Sequence, residues 1–447
     1  MGSLVHPNWS PILTGDRASK ARSIIQKTVQ EIMALHPPPC HPGVATGYAG
    51  LALGFHYLNQ CQPENDFKAV SEKFLNLAVD HVARHASSTS LFSGFTGVAW
   101  VLAYIQKDML HEIHDSCTEI DKIIINYIKN KNKPLEYDLI DGLVGLGIYA
   151  IERFPKMSGK ILLDAVLSEL IRRKIHLDGG FTWLTPPELL PEWQKKQAPL
   201  GYYNLGLAHG VPGVINLIGR VCFINSYYYE KYYFLLKGAI RWLIMQSNPS
   251  TAPSSFSRII PIGEAPENRE IRMKSESRIA WCYGDLGIGL SLLHTSIRMQ
   301  ESRWKTKSLE ILRKVAAKNP IDAGMFDASL CHGSAGNAHL FNRIFQTTGD
   351  PLFKKAALTY FDWTFDHHSN NSIITSFSPW DPDRKFPLES ATMDSSFLTG
   401  TMGVALALLS GISEIEPEWD RILMVDSAIR GRPPAGNWRE PGDTDGE

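Results

Sequence analysis

Three short stretches of the sequence carry groups that could do chemistry together. "GLAHG" places His209 before a glycine, "WCYG" places Cys282 and Tyr283 there, and "LCHG" places Cys331 and His332 there. Two thiolates and one imidazole make a three-ligand zinc set with a fourth position left over, the pattern of a catalytic rather than a structural site. Each stretch runs into an apolar segment with helical character. A thiol at a helix N-terminus sits at the positive end of the dipole, which lowers its pKa and helps it bind a metal. The plainer alternative is that both cysteines are small buried hydrophobes and His332 a helix cap. The matched placement of Cys282 and Cys331, with a histidine beside one of them, favours a metal. Such a centre is soft and a poor Lewis acid for hydrolysis, but it can hold a substrate thiol as thiolate near neutral pH. The implied chemistry is sulfur attacking carbon, by addition or alkylation.

Distant residues can meet only if the fold brings them to one place. The sequence repeats a glycine, two residues, a second glycine and an apolar run, seven times. The first glycines are Gly47, Gly94, Gly142, Gly210, Gly284, Gly333 and Gly400. Amphipathic segments with apolar positions three and four apart precede or separate these runs, near Arg17–His36, Asn65–His85, Cys117–Asn130, Gly159–Ile175, Ser226–Ser247, Glu301–Ala317 and Pro351–Phe365. The unit is therefore an outer helix, a turn and an inner helix. Apolar character nearly all round the second helix fits a layer buried on both sides. The glycines are expected to let helix ends crowd together and to supply the backbone angles of a sharp turn. With no polar capping repeat at either end, the pattern predicts an all-α fold, a closed α/α toroid of seven inner and seven outer helices, over an open solenoid. Residues just before the glycines would then converge on one rim.

Two segments, 248–276 and 369–396, are long, polar and broken by prolines, and read as loops over that rim. Residues 1–429 read as a single toroid domain and 430–447 as a disordered tail. The 447 residues carry 45 basic and 46 acidic side chains, without the basic surplus of a general nucleic-acid binder. No apolar run is long enough for a membrane span and no secretory signal opens the chain, so a cytoplasmic protein is expected. Cys222 lies in an apolar helix, and Cys61 and Cys117 fall between units. Cys40, flanked by His36 and His41 in "HPPPCHPG", raises a second metal site, but the prolines favour a surface loop.

Taken in order, "YDLIDGLVGLG", "GLAHGVPGVI", "SRIAWCYGDLGIG" and "SLCHGSAGNA" resemble the landmarks of the lanthionine synthetase C family of lanthipeptide cyclases. The resemblance spans the ring from the first glycine motif to the last, and it implies the same seven-plus-seven toroid. It further implies a zinc-assisted Michael addition, in which a peptide cysteine attacks dehydroalanine or dehydrobutyrine of the same peptide and closes a thioether ring. Cys282, Cys331 and His332 then match the zinc ligands. His209 matches the active-site histidine, Asp138 the aspartate with Asp141 as alternative, Arg278 the arginine and Tyr283 the tyrosine. The implied partners are a dehydrated precursor peptide, a separate dehydratase acting before this chain, and a transporter. The β-containing insertion of some bacterial members is expected to be absent or rudimentary here. Other readings are a relative that adds glutathione to dehydrated residues, or a zinc- or peptide-binding scaffold without catalysis. Zinc-dependent prenyltransferase subunits share the toroid, but their pattern is not matched by these glycine motifs.

Overall fold

The computed structural model describes residues 9–34, 41–106, 115, 117–130, 135–325, 327–367 and 394–426. Its fold is helix-rich and of the all-α class, and it is built from helix pairs. The helices are α1 (Gly15–Ala34), α2 (Tyr48–Cys61), α3 (Phe67–Arg84), α4 (Phe95–Ile105), α5 (Thr118–Lys129), α6 (Leu143–Arg153), α7 (Met157–Arg173), α8 (Glu192–Gln197) and α9 (Val211–Ile224). They continue with α10 (Ser226–Met245), α11 (Pro266–Lys274), α12 (Asp285–Met299), α13 (Ser302–Ala316), α14 (Ser334–Thr348), α15 (Pro351–Asp366) and α16 (Thr401–Ile412). Every helix predicted from periodicity is present within the described residues. No helix among them is long and apolar enough to cross a membrane.

The helices that follow the glycine motifs are the most buried. All of α9 except Arg220 and Ile224, and all of α16 except Ile412, lie out of solvent. They pack in the order α2, α4, α6, α9, α12, α14 and α16, and α16 returns to α2. Amphipathic partners lie against them, α3 on α2, α7 on α6, α10 on α9, α13 on α12, α15 on α14 and α1 on α16. Hydroxyls help tie the two layers: Ser71 on α3 donates to the Ala52 carbonyl of α2, and Ser308 on α13 to Gly289 of α12, each at 2.8 Å.

The turns that precede these inner helices are joined by their main chains. Ala45 N–H donates to Phe92 O (2.9 Å), Leu91 to Ile140 (3.2 Å), Leu139 to Ala208 (2.9 Å) and Ala208 to Cys282 (3.3 Å). Trp281 donates to Cys331 (3.1 Å), Cys331 to Leu398 (3.1 Å), and Leu398 back to Ala45 (2.9 Å). The circuit closes. Buried peptide groups must find partners, and here each turn finds them in its neighbours.

This geometry narrows the expected role of the glycines: close approach holds at every turn, and unusual backbone angles at one. Of the first glycines, only Gly284 has a left-handed backbone, at φ 94°; Gly47, Gly94, Gly142, Gly210, Gly333 and Gly400 are extended. Glycine is needed because the chain folds back on itself. A Cβ at Gly47, Gly94, Gly210, Gly284 or Gly400 would strike the carbonyl six residues earlier. The second glycines Gly50, Gly97, Gly145, Gly213, Gly287, Gly336 and Gly403 meet the same obstacle, from Val44 O to Phe397 O. Those carbonyls belong to the turns that form the circuit.

Two further features depart from the sequence reading. Five short strands form two small sheets: β1 (Ile175–Leu177) with β2 (Gly180–Thr182), and β3 (Leu184–Thr185), β4 (Tyr202–Asn204) and β5 (Ile259–Pro261) in that order, all antiparallel. The first is a hairpin on the two-residue turn Asp178–Gly179, both at positive φ. The segment 248–276, expected as a loop, holds β5 and α11. Most of 369–396, residues 35 and 36 of the first predicted helix, Cys40, and the tail 430–447 lie outside the described residues.

A Gly336→Ala substitution would drive a methyl into the Leu330 main chain. It is expected to cost about 1–3 kcal/mol, the range for overpacking a tight site, read as a lower urea midpoint with an unchanged slope. An unaltered midpoint would show that the turn can move aside.

Candidate metal centre

The circuit brings the sequence-predicted residues to one rim. Asp138, His209, Cys282 and Cys331 lie on consecutive turns, those preceding α6, α9, α12 and α14. The main-chain bonds Leu139 to Ala208, Ala208 to Cys282 and Trp281 to Cys331 join them edge to edge. Residues separated by up to two hundred positions are thus fixed by neighbouring peptide groups.

One ligand atom each from Cys282, Cys331 and His332 falls within 4.8 Å of the others. Cys282 and His332 are buried and Cys331 is half-buried. Ligands on one tetrahedral zinc, at about 2.3 Å for sulfur and 2.0–2.1 Å for nitrogen, stand roughly 3.5 Å apart. Small side-chain rotations would close that gap. The donor set of two thiols and an imidazole therefore fits a soft-to-borderline ion such as zinc. The electrostatics favour it as well. A hydrogen bond from the Cys331 thiol, followed by burial in the opposite sense and then by His332, leaves Cys282 well below the usual thiol range. Cys331, bonded to that sulfur and partly withdrawn from water, is pushed up, with the Arg278 guanidinium opposing the rise. One thiolate is favoured at once, and a cation between the sulfurs would favour both.

His332 has its own carboxylate. Its Nε2 lies 3.2 Å from Oδ2 of buried Asp327. Burial favours its neutral form, but Asp327 and Cys282 outweigh this and raise its pKa to about 9. Asp327 is held in turn by the Ser329 N–H at 2.7 Å. Carboxylates behind metal-binding histidines fix the ring and its tautomer.

His209 stands beside this cluster. Its Nδ1 bonds Oδ2 of Asp138 at 2.8 Å, while Oδ1 of Asp138 accepts the N–H of Asp141 at 2.9 Å. Of the two aspartates left open by the sequence, it is Asp138 that meets the histidine, and Asp141 is exposed. Burial disfavours charge on His209, yet Asp138, Cys282 and Glu136 together raise its pKa. The side chain is 35 % exposed, so the ring can meet a molecule from outside. Tyr283 stacks on it, with centroids 5.4 Å apart and planes at 22°. The Tyr283 hydroxyl accepts a bond from Asn204 Nδ2 at 3.1 Å. Arg278 is half-buried at the start of the Cys282 turn.

Asp327, Asn204 and Glu136 were not singled out in the sequence. Each lies seven residues before the first residue of its helix, the position that Arg278 fills before α12. Aligning the turns position by position would have shown that this place matters. At several turns its side chain accepts the N–H two residues on: His41 from Gly43, Asn204 from Gly206, Asp327 from Ser329 and Asp394 from Ser396.

Burial, with Asp138 and Asp141 nearby, raises the Glu136 carboxyl from 4.5 to about 7. The folded chain then binds this proton more tightly than the unfolded chain. Its contribution to stability is present at low pH and is lost as pH rises from about 4.5 through about 7. Glu136→Gln should therefore lose less stability than the wild type between pH 5 and pH 8, measured as urea midpoints. An equal loss in both proteins would contradict the assignment.

Comparison with known proteins agrees with this geometry. The family model described as lanthionine synthetase C-like protein matches residues 38–424. The nisin biosynthesis protein NisC of Lactococcus lactis subsp. lactis is 23 % identical over 337 residues, covering 68 % of this chain and 74 % of NisC. The zebrafish (Danio rerio) glutathione S-transferase LANCL1 is 21 % identical over 356 residues, 74 % of this chain and 77 % of that protein. The solved structure of nisin cyclase superposes with a TM-score of 0.69 at 18 % identity, covering 92 % of this chain and 98 % of its own, which establishes a shared fold. With a family match over most of its length, the chain belongs to the lanthionine synthetase C-like family.

Proposed function

We propose that this chain is a zinc-dependent lanthipeptide cyclase, adding peptide cysteine thiols to dehydroalanine or dehydrobutyrine to form lanthionine and methyllanthionine rings. The convergence of Cys282, Cys331 and His332 beside the His209–Asp138 pair is the observation that carries this reading. Under it, the chain forms one α/α toroid domain of seven inner and seven outer helices, with the metal at one rim. The substrate is a precursor peptide dehydrated elsewhere in the cytoplasm by a separate enzyme and later exported by a transporter.

Cys282, Cys331 and His332 would hold the zinc, and Asp327 would keep the His332 ring in place. The chemistry that zinc would supply there is Lewis acidity, which favours the deprotonated form of a substrate thiol. The remaining steps fall to the protein. The new carbon–sulfur bond forms as the alkene π pair moves toward the carbonyl, and a proton must then reach the α-carbon. His209 is suited to take the thiol proton and return one to that carbon, since Asp138 on Nδ1 leaves Nε2 for exchange. Arg278 can oppose the negative charge that develops on the carbonyl oxygen. Tyr283, its hydroxyl oxygen engaged by Asn204, retains its proton to donate.

The similarity to LANCL1 supports a second reading, in which glutathione supplies the thiol instead of the peptide. The half-reaction at carbon is the same, and only the source of sulfur differs. A purified chain given a dehydrated peptide with its own cysteine, with and without glutathione, separates the two by product mass. Ring closure leaves the mass unchanged and blocks thiol alkylation, whereas glutathione addition raises the mass by that of the tripeptide.

Wild-type protein should carry about one equivalent of zinc, and Cys282→Ala should lose it, because three-ligand centres rarely survive loss of a thiolate. His209→Ala should keep the metal and lower the cyclisation rate by about 10²–10⁴, the range for a general acid–base group. Undiminished cyclisation in His209→Ala would refute its role, and a zinc-loaded Cys282→Ala would refute the site.

A further inference from the structure

The chain does not leave the helix array after α16. It turns inward, and a short 3-10 helix, Glu418–Leu423, continues into Met424, Val425 and Asp426. Trp419 and Asp420 are fully buried, as are Met424 and Val425. A segment this deeply buried at the end of the described chain is gripped from several directions. On α14, Arg343 donates to Asp420 (2.7 Å) and to Pro417 O (2.8 Å), and His339 bonds Asp420 at 2.7 Å. On α6, Glu152 accepts from Arg421. On α9, Asn216 donates to Met424 O at 3.0 Å and Arg220 pairs with Asp426. On α12, Arg298 donates to Asp426 O at 3.2 Å. Helices that follow one another around the array all reach the same ten residues, so the segment lies inside it.

One contact leads to the metal turn. Trp281 Nε1 donates to Leu423 O at 2.8 Å, and the indole is almost wholly buried. Trp281 precedes Cys282, and its main-chain N–H bonds Cys331 O. A single residue therefore touches both cysteine turns and the interior segment. The circuit fixes the peptide groups of the rim, but the indole bond comes from below it and fixes their height against the core.

We propose that the interior segment Trp419–Asp426 is a positioning element for the metal centre, holding Trp281 so that the sulfurs of Cys282 and Cys331 face one ion. The inference rests on the metal reading given above. The Trp281 indole is buried away from the surface and acts through the cysteines. Loss of the Trp281–Leu423 bond lets the Cys282 turn shift, and the ion is then held less tightly while the helices remain folded.

The test uses the full chain, with zinc affinity measured by chelator competition and cobalt(II) as a spectroscopic probe. Trp281→Phe keeps the ring's bulk but removes the donor; Asn216→Ala loosens the segment one residue along, away from the metal. Both should weaken metal binding about tenfold or more and reduce the cobalt–thiolate absorption, with helical content unchanged. Tyr57→Phe is the control, because Tyr57 grips the chain earlier, at Ile415 O; it should lower the melting temperature and leave affinity intact. If Trp281→Phe does not fold, Asn216→Ala decides alone. Unchanged affinity and spectrum in these two variants would overturn the proposal while leaving the metal site standing, as would an equal loss in Tyr57→Phe. A wild type that binds no metal would overturn both readings.

Discussion

The closed circuit of main-chain hydrogen bonds at the rim is the constraint on which the rest of the structure depends. Side chains alone could not hold a three-ligand cluster assembled from residues so far apart in sequence. Their freedom at each χ angle, and the softness of surface loops, would scatter the donors. Here the loops are not soft. Each turn before an inner helix gives an N–H to the next turn and accepts one from the turn before, until the last returns to the first. Because the circuit closes, no turn can move without breaking bonds on both sides. An unmade hydrogen bond in so buried a place costs about 1–3 kcal/mol per group, so pulling one turn away from its neighbours is costly.

The same circuit explains why glycine recurs. The turns must come within contact of the helix they start, and a Cβ at either glycine would collide with the main chain of its own turn. Sequence, turn and site are therefore linked by one steric fact. The reactive residues sit beside the glycines because that is where the backbone of each unit comes to the shared edge. Electrostatics then sorts them. Asp327 behind His332 and Asp138 behind His209 give two imidazoles a carboxylate each. The two thiols share one hydrogen bond, which favours ionisation of Cys282 and disfavours that of Cys331. One histidine is thereby placed with the sulfurs, and the other stands beside them, open on one side to solvent.

Much of this was legible in the sequence, for physical reasons that differ by element. Inner helices were readable because burial on all sides demands apolar residues throughout, as in α16. Outer helices were readable because one face must stay polar, as in α13. Cys282, Cys331 and His332 stood out because their residue types are rare and their spacing from the glycines matched. The strands were not readable. At two or three residues each, β3, β4 and β5 are too short for a period to show, and pairing across distant segments makes them strands. Asp327, Asn204 and Glu136 were hidden because an acidic or amide residue before a helix is an ordinary turn former. Their importance comes from what the adjoining turns bring opposite them. Nothing in "EPEWDRILMVD" marks it as interior either, since its acidic and basic residues look like a solvated surface until their buried partners Arg343, Glu152 and Arg220 are known.

The central claim is that two sulfurs and one imidazole nitrogen, drawn from two neighbouring turns, share a single ion. X-ray absorption at the zinc edge of the purified full-length protein reads that ligand set directly. The account predicts two sulfur scatterers at about 2.3 Å and one imidazole nitrogen at about 2.0–2.1 Å, completed by one light atom. A shell of nitrogen and oxygen alone, or one of four sulfurs, would contradict it.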